Sequence, residues 1–575
     1  MTSTGKAESS GTSTRESSEA QRNNAGHEAP VAATASDPID SATPAEQPTQ
    51  NTGYLAGIPL AILVFCLFLV GICTGLDRSI VSTAIPTITS EFHSLDDIGW
   101  YGSAYILTSS CFQLFYGKLY AEFSTKPVFL SALAIFELGS IVCALAPTSM
   151  ALIIGRAVAG VGSAGLFTGS LMILTSIIPL HSRPKYMAII ASGMTVSQAF
   201  GPLIGGAFTQ HLTWRWCFWI NLPVGGVTII GILLFAKFSN PDADRMSKTW
   251  RDGAIAFFRK ADLFGALIIF PSIVCLLLAL QWGGVTYPWN NWRIILLICL
   301  FGLLFLVWAI RELRNGEKAT VPSHIIKQRS MAAATWGCFC LPASMFIVVY
   351  YVPTWFQVIQ DVSATQSGVN LLPLTVSQSV ASIISGAATG RVGHYVPQQY
   401  ISATLCSIAA GLIYTFNLST STPFWAASLV LFGIGFGAGV QTYLMVPQTT
   451  LAGRDIALGS SLLIFGQTLS SSIFLSVAQS IFQTSLMKNL SRTIPNVDPS
   501  TIISIGASDV RQKMAELYPS HVPEALGAYN TAINDVSIIS ITMASLSIFA
   551  PIFMEWKSVR KDIQPKPDRT VKADA

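Results

Sequence analysis

Charge is what this sequence has least of. Only 11% of its 575 residues are Asp, Glu, Lys or Arg, less than half the roughly 25% of an ordinary soluble domain, and the mean hydropathy is +0.52. That balance excludes a cytosolic enzyme and a chain that is disordered overall. A net charge of +4 is too small for a nucleic-acid binder of this size. The sequence has no G-x-x-x-x-G-K-[ST], which removes ATP hydrolysis in cis. It has no H-E-x-x-H and no Cys/His cluster, so no metal, cofactor or catalytic residue is expected. The ten cysteines all fall within or at the ends of apolar runs and read as small packing residues, not a disulfide framework.

What the chain does have is long apolar runs. Segments free of acidic and basic residues occupy 54–76, 98–117, 186–210, 216–236, 263–292, 294–310, 330–360, 362–390, 395–453, 456–487 and 536–554. A bilayer core needs about 20 apolar residues per helix. Run 395–453 holds two spans around the break Asn417–Pro423, and 127–147 and 148–178 are spans with one charge each, Glu137 and Arg156. The expectation is an all-α polytopic membrane protein of fourteen helices. The runs are continuous and not alternating, which argues against a β-barrel.

The spans divide six, two, six. Residues 1–52 carry seven acids and three bases with few large apolar side chains and are expected to be a disordered cytoplasmic tail. A first six-helix bundle at 53–237 is followed by a charged cytoplasmic loop at 238–261. Two inserted helices occupy 262–311, and a second loop 312–329. The second six-helix bundle runs over 330–556 with an outer loop at 486–528, and 557–575 is a basic cytoplasmic tail. With the N-terminus inside, the short inner loops hold seventeen Lys and Arg against three in the short outer ones, as the positive-inside rule requires. The glycosylation sequons at Asn417 and Asn489 then both fall outside.

A few side chains stand out against this apolar ground. Asp77 and Arg156 are expected at similar depth, near the outer ends of the first and fourth spans. An unpaired Arg at the bilayer centre costs about 2.5–3.5 kcal/mol, so the two should pair, either as a register-fixing ion pair or as a switch. Glu137 lies at the centre of the third span. An intramembrane carboxylate is a proton-relay candidate, or else an acid held protonated by its neighbours. The fifth span contains Gly193, Gly201, Pro202, Gly205 and Gly206, a hinge between moving bundles or a seam for tight packing. Gln113, Gln198, Gln357 and Gln467 could meet a polar group of a cargo in a cavity, though such residues also glue helices together.

Several motifs carry a family likeness. LDRSIVSTAIPTI (76–88), LIIGRAVAGVGSAGL (152–166), GMTVSQAFGPLIGGAF (193–208) and WRWCFWINLPVGG (214–226) resemble the major facilitator superfamily, specifically its fourteen-span drug:proton antiporters and their fungal mycotoxin and azole efflux pumps. The resemblance implies two six-helix bundles plus two extra central helices, alternating access and proton coupling. It implies that Asp77 and Arg156 sit on proton-linked motif positions and that the fifth-span glycines and Pro202 form the antiporter hinge; Glu137 joins them as a proton-coupling candidate on its position alone. It further implies export of amphipathic small molecules such as toxic secondary metabolites; a monomer in the plasma membrane is expected, and the loop charges with the even span count place both termini in the cytoplasm. Vacuolar carriers of basic amino acids or siderophores, and a non-transporting receptor, are the alternatives. The loop after the second span departs from the family: Ala121 and Ser124 stand where an Asp and a Gly are usual, which puts in doubt a gate latch built on that Asp.

Overall fold

A computed structural model describes residues 55, 57–93, 97–236, 262–284, 287–316, 319–494 and 510–559. The expected tail at 1–52, the loop at 238–261, most of the 557–575 tail and the middle of the long outer loop lie outside the described residues.

Backbone polar groups in hydrocarbon must find partners within their own segment, and the described chain is accordingly built of long helices. In order they are α1 (Ile58–Ser79), α2 (Val81–Phe92), α3 (Ile98–Glu122), α4 (Thr125–Ala144), α5 (Ser149–Ile177), α6 (Arg183–His211) and α7 (Trp216–Phe235). Next come α8 (Leu263–Trp282) and α9 (Trp292–Asn315). The last six are α10 (Arg329–Val358), α11 (Leu372–Val392), α12 (Val396–Tyr414), α13 (Thr422–Tyr443), α14 (Asp455–Thr493) and α15 (Val522–Leu546). Local signals set their ends: Thr148, Asp262 and Asn291 accept backbone N–H bonds at the starts of α5, α8 and α9, and Gly393 closes α11 at φ 84°.

Ile80, between α1 and α2, is itself in right-handed helical geometry (φ −63°, ψ −32°). Counting α1 and α2 as one path, this set is consistent with fourteen spans. Eleven of the described helical spans are long and apolar enough to cross a bilayer, and a bent α6 makes twelve. α3 and α12 are about as long but more polar, because they pack mainly on other helices: α3 on α5 and α14, α12 on α13 and α15. α9 is the opposite case, with only 6% of its most apolar stretch buried.

α1 to α7 pack largely among themselves, as do α10 to α15. The groups meet through α6 on α11 and α3 on α14, and α8 leans on α3 and α14. The turns bearing Lys118, Lys126, Arg183, Arg391 and Arg454 share one end of the bundle, the basic end. There the groups touch backbone to backbone. A Cβ on Gly386 would lie 2.5 Å from the Pro184 carbonyl oxygen, and one on Gly390 2.7 Å from that of His181. A Cβ on Gly117 would collide with Ser461. Glu122, beside the departed loop motif, lies 3.8 Å from Arg454 of the second group, so an acid one residue along supplies the cross-group pairing.

Two boundaries differ from expectation. The expected outer loop from 486 is helical as far as Thr493, so Asn489 sits within α14 and donates to Ser485, whereas Asn417 occupies an exposed turn. The first span does not end at Asp77: helix continues on both sides of Ile80 as far as Phe92. A charge marks the end of a span only when water solvates it, and Asp77 is solvated by protein.

Candidate functional site

The polar centre lies within the first group of helices. Arg156 follows the start of α5 by seven residues, about 10 Å of helix. Its Nη1 donates to Asp77 Oδ2 at 2.6 Å and its Nε to the Tyr101 carbonyl oxygen at 2.8 Å. Its guanidinium also lies 4.6 Å from the centre of the Tyr105 ring. Both partners are buried, Asp77 at 0% and Arg156 at 1% exposure, so neither charge is offset by water.

Asn221 at the start of the Asn221–Phe235 stretch of α7 completes the arrangement. Its Nδ2 donates to Asp77 Oδ1 at 3.2 Å and to Ser140 Oγ of α4 at 3.1 Å. Ser140 is one helical turn from Glu137, and both Glu137 carboxyl oxygens are buried with no hydrogen-bond partner among the described residues. Gly225, one turn along α7 from Asn221, provides the space: a Cβ there would collide with Glu137 Oε1. Glu137 is less central than its run suggests, because α4 stops at Ala144, seven residues on. Asn221 ties the Asp77–Arg156 pair to Ser140, one turn along α4 from the unpartnered Glu137; neither Asn221 nor Ser140 was singled out from the sequence. An Asn inside an otherwise apolar span was the available signal.

The fifth-span motif lies in α6. Pro202 removes the donor for the Gln198 carbonyl and crowds it, and α6 bends by 43° at 198–200. Its glycines also form a seam. Gly201 and Gly205 face Ser79 and Thr83, Gly193 faces Phe68, and Gly71 and Gly75 of α1 face Ile190 and Met194 in return, whereas Gly206 faces open space. Kink and close packing are thus both present.

The glutamines do not gather. Gln113 donates to Thr168 at 2.6 Å and ties α3 to α5. Gln198, Gln357 and Gln467 are part-buried on α6, α10 and α14. Gln378, not singled out beforehand, spans the two groups to Thr195 at 3.4 Å.

At the end opposite the basic one, Glu91 accepts from Trp214 Nε1 at 2.6 Å and from Arg215 at 2.9 Å. The Trp214 hydrogen bond, opposed by burial and reinforced by the Arg215 guanidinium, holds its carboxyl below the ordinary range. A lowered folded value means the clamp stabilises the protein at neutral pH and is lost as pH falls through that value. The pair is part-exposed, so the clamp is worth no more than about 1 kcal/mol. Glu91→Gln should shallow the acid limb of a stability-versus-pH curve while changing little under more acidic conditions.

Helices of membrane-spanning length around a buried Asp–Arg pair define a polytopic membrane protein with an ion pair in its interior. The chain belongs to the Major Facilitator Superfamily, whose family model matches residues 67–475. It is 44% identical over 517 residues to the MFS-type efflux pump MFS1 of Arthroderma benhamiae, covering 90% of this chain and 95% of that protein. It is 43% identical over 518 residues to the efflux pump aflT of Aspergillus parasiticus, covering 90% and 99%. Among solved structures, the proton:xylose symporter XylE superposes with TM-score 0.53 at 13% identity, covering 84% of this chain and 94% of that one. The human organic anion transporter MFSD10 gives 0.52 at 14%, covering 85% and 100%.

Proposed function

We propose that the protein is a proton-coupled exporter of amphipathic small molecules that works by alternating access between two six-helix bundles. The efflux pumps to which it is similar support the direction of transport. The buried cluster of Asp77, Arg156, Asn221 and Glu137 supports the coupling. In this reading a proton taken by Asp77 or Glu137 neutralises one carboxylate, weakens the hold on Arg156 and lets α1, α4, α5 and α7 reset. The bend at Pro202 and the α1–α6 glycine seam are where the first bundle gives. Both termini and the basic end face the cytoplasm, the plasma membrane is the location, the monomer is the working unit, and Asn417 and Asn489 are glycan acceptors. The energetics suffice: one charge moving through 100 mV provides about 2.3 kcal/mol, and a tenfold gradient needs about 1.4.

The single observation that carries this reading is Glu137, an acid with two unpartnered oxygens one turn from a residue that Asn221 links to Asp77. The test uses full-length protein in sealed liposomes with an imposed pH gradient and a panel of neutral, cationic and anionic amphipathic dyes. Glu137→Gln should lose at least tenfold in gradient-driven accumulation while the folded yield stays unchanged. Accumulation equal to the parent protein's would remove Glu137 from the mechanism.

A further inference from the structure

Arg78 is a second guanidinium at the depth of the buried pair, and among the described residues it has no counter-ion. Its Nε is buried without a hydrogen-bond partner, and among the described residues no carboxylate lies within ion-pair distance of it. The acids described in the first group of helices lie against other groups. Asp77 gives one oxygen to Arg156 and the other to Asn221. Glu91 accepts from Trp214 and Arg215, and Asp97 accepts from Ser149. Glu137, its oxygens unpartnered, lies against Gly225 of α7.

Nor does Arg78 reach toward lipid. The lipid face of α1 is marked by exposed Ile58 and Phe65. Thirteen residues separate Phe65 from Arg78, about 1300° of helix rotation, which sets the two side chains roughly 140° apart. Arg78 instead faces α3, its guanidinium 5.8 Å from the centre of the Tyr105 ring, and Arg156 approaches that same ring at 4.6 Å. A paired cation and one without a counter-ion among the described residues thus approach the same aromatic ring.

Arg78 is part-buried, with only its Nε fully enclosed; a cation inside a membrane protein needs an anion or water, and a guanidinium presents several donors suited to an oxyanion. We infer that Arg78 binds the acidic group of the cargo, so that the transported molecules include amphipathic organic anions. This rests on the export reading and narrows its substrate class. A negative interior would also favour anion export, roughly fortyfold per 100 mV.

The test compares 8-anilinonaphthalene-1-sulfonate with N-phenyl-1-naphthylamine, which lacks only the sulfonate. Binding to the full chain in detergent is read as a shift in unfolding temperature, and transport is read separately in liposomes. The sulfonate should stabilise the parent protein and bind about tenfold more tightly than the neutral amine. Arg78→Gln should abolish that preference, and Arg78→Lys, which keeps the charge, should retain part of it. An unchanged preference in Arg78→Gln, an equal loss for both probes, or no binding of the sulfonate by the parent protein would each overturn the assignment. Sulfonate binding that depends on Arg78 without transport of either probe would uphold the anion site and count against the export reading.

Discussion

Arg156→Ala is expected to cost about 3–5 kcal/mol of stability, because it strands the Asp77 carboxylate in a buried site without its counter-charge. The loss should appear as a large fall in unfolding temperature of the detergent-purified protein and a poor folded yield. Asp77 keeps the Asn221 bond in that variant, and the Tyr101 carbonyl loses its Arg156 donor. Combining Asp77→Asn with Arg156→Met removes both charges and fills similar volume, so most of the stability should return. Transport should not, since the proton-sensitive pair is gone. A stable double variant that still accumulates dye under a pH gradient would make the pair structural only.

The second large effect is expected at the basic end. Gly386→Val places a branched side chain where the Pro184 carbonyl already leaves no room for one methyl group. The atoms it meets are backbone, which cannot rotate aside, so the end that is closed here should be forced apart. Each helical group keeps its own packing, and the folded yield should therefore hold while transport falls by more than tenfold. The opening can be read chemically at Ser461, which is buried against Gly117. A Ser461→Cys reporter, in a background with exposed Cys299 replaced by Ser, should resist a water-soluble maleimide and become reactive once Gly386→Val is added. Unchanged reactivity and transport would mean that this contact does not govern the closed state.

The helices were legible because apolar length is a one-dimensional signal and a bilayer leaves the backbone few alternatives. The pairing of Asp77 with Arg156 was legible too, because two opposite charges at similar expected depth have strong reason to meet. The bend of α6 follows from Pro202 alone. What the sequence concealed were properties of juxtaposition. Asn221 looks like one polar residue in a greasy run until α1, α4 and α7 bring Asp77 and Ser140 to its amide. Gly225 matters only because Glu137 faces it. Arg78 reads as half of a charged dipeptide at a span's end. Its lack of a counter-ion among the described residues emerges only once Asp77 is seen to be held by Arg156 and Asn221 and the helix is seen to continue past it.

The coupling of cargo to protons is the central claim, and gradient-driven accumulation tests it most directly. Full-length protein is placed in sealed liposomes, a pH gradient is imposed, and accumulation of the dye panel is followed before and after a protonophore is added. The account predicts that accumulation against the dye's own gradient collapses to equilibrium when the protonophore is present. Accumulation that continues undiminished would contradict it.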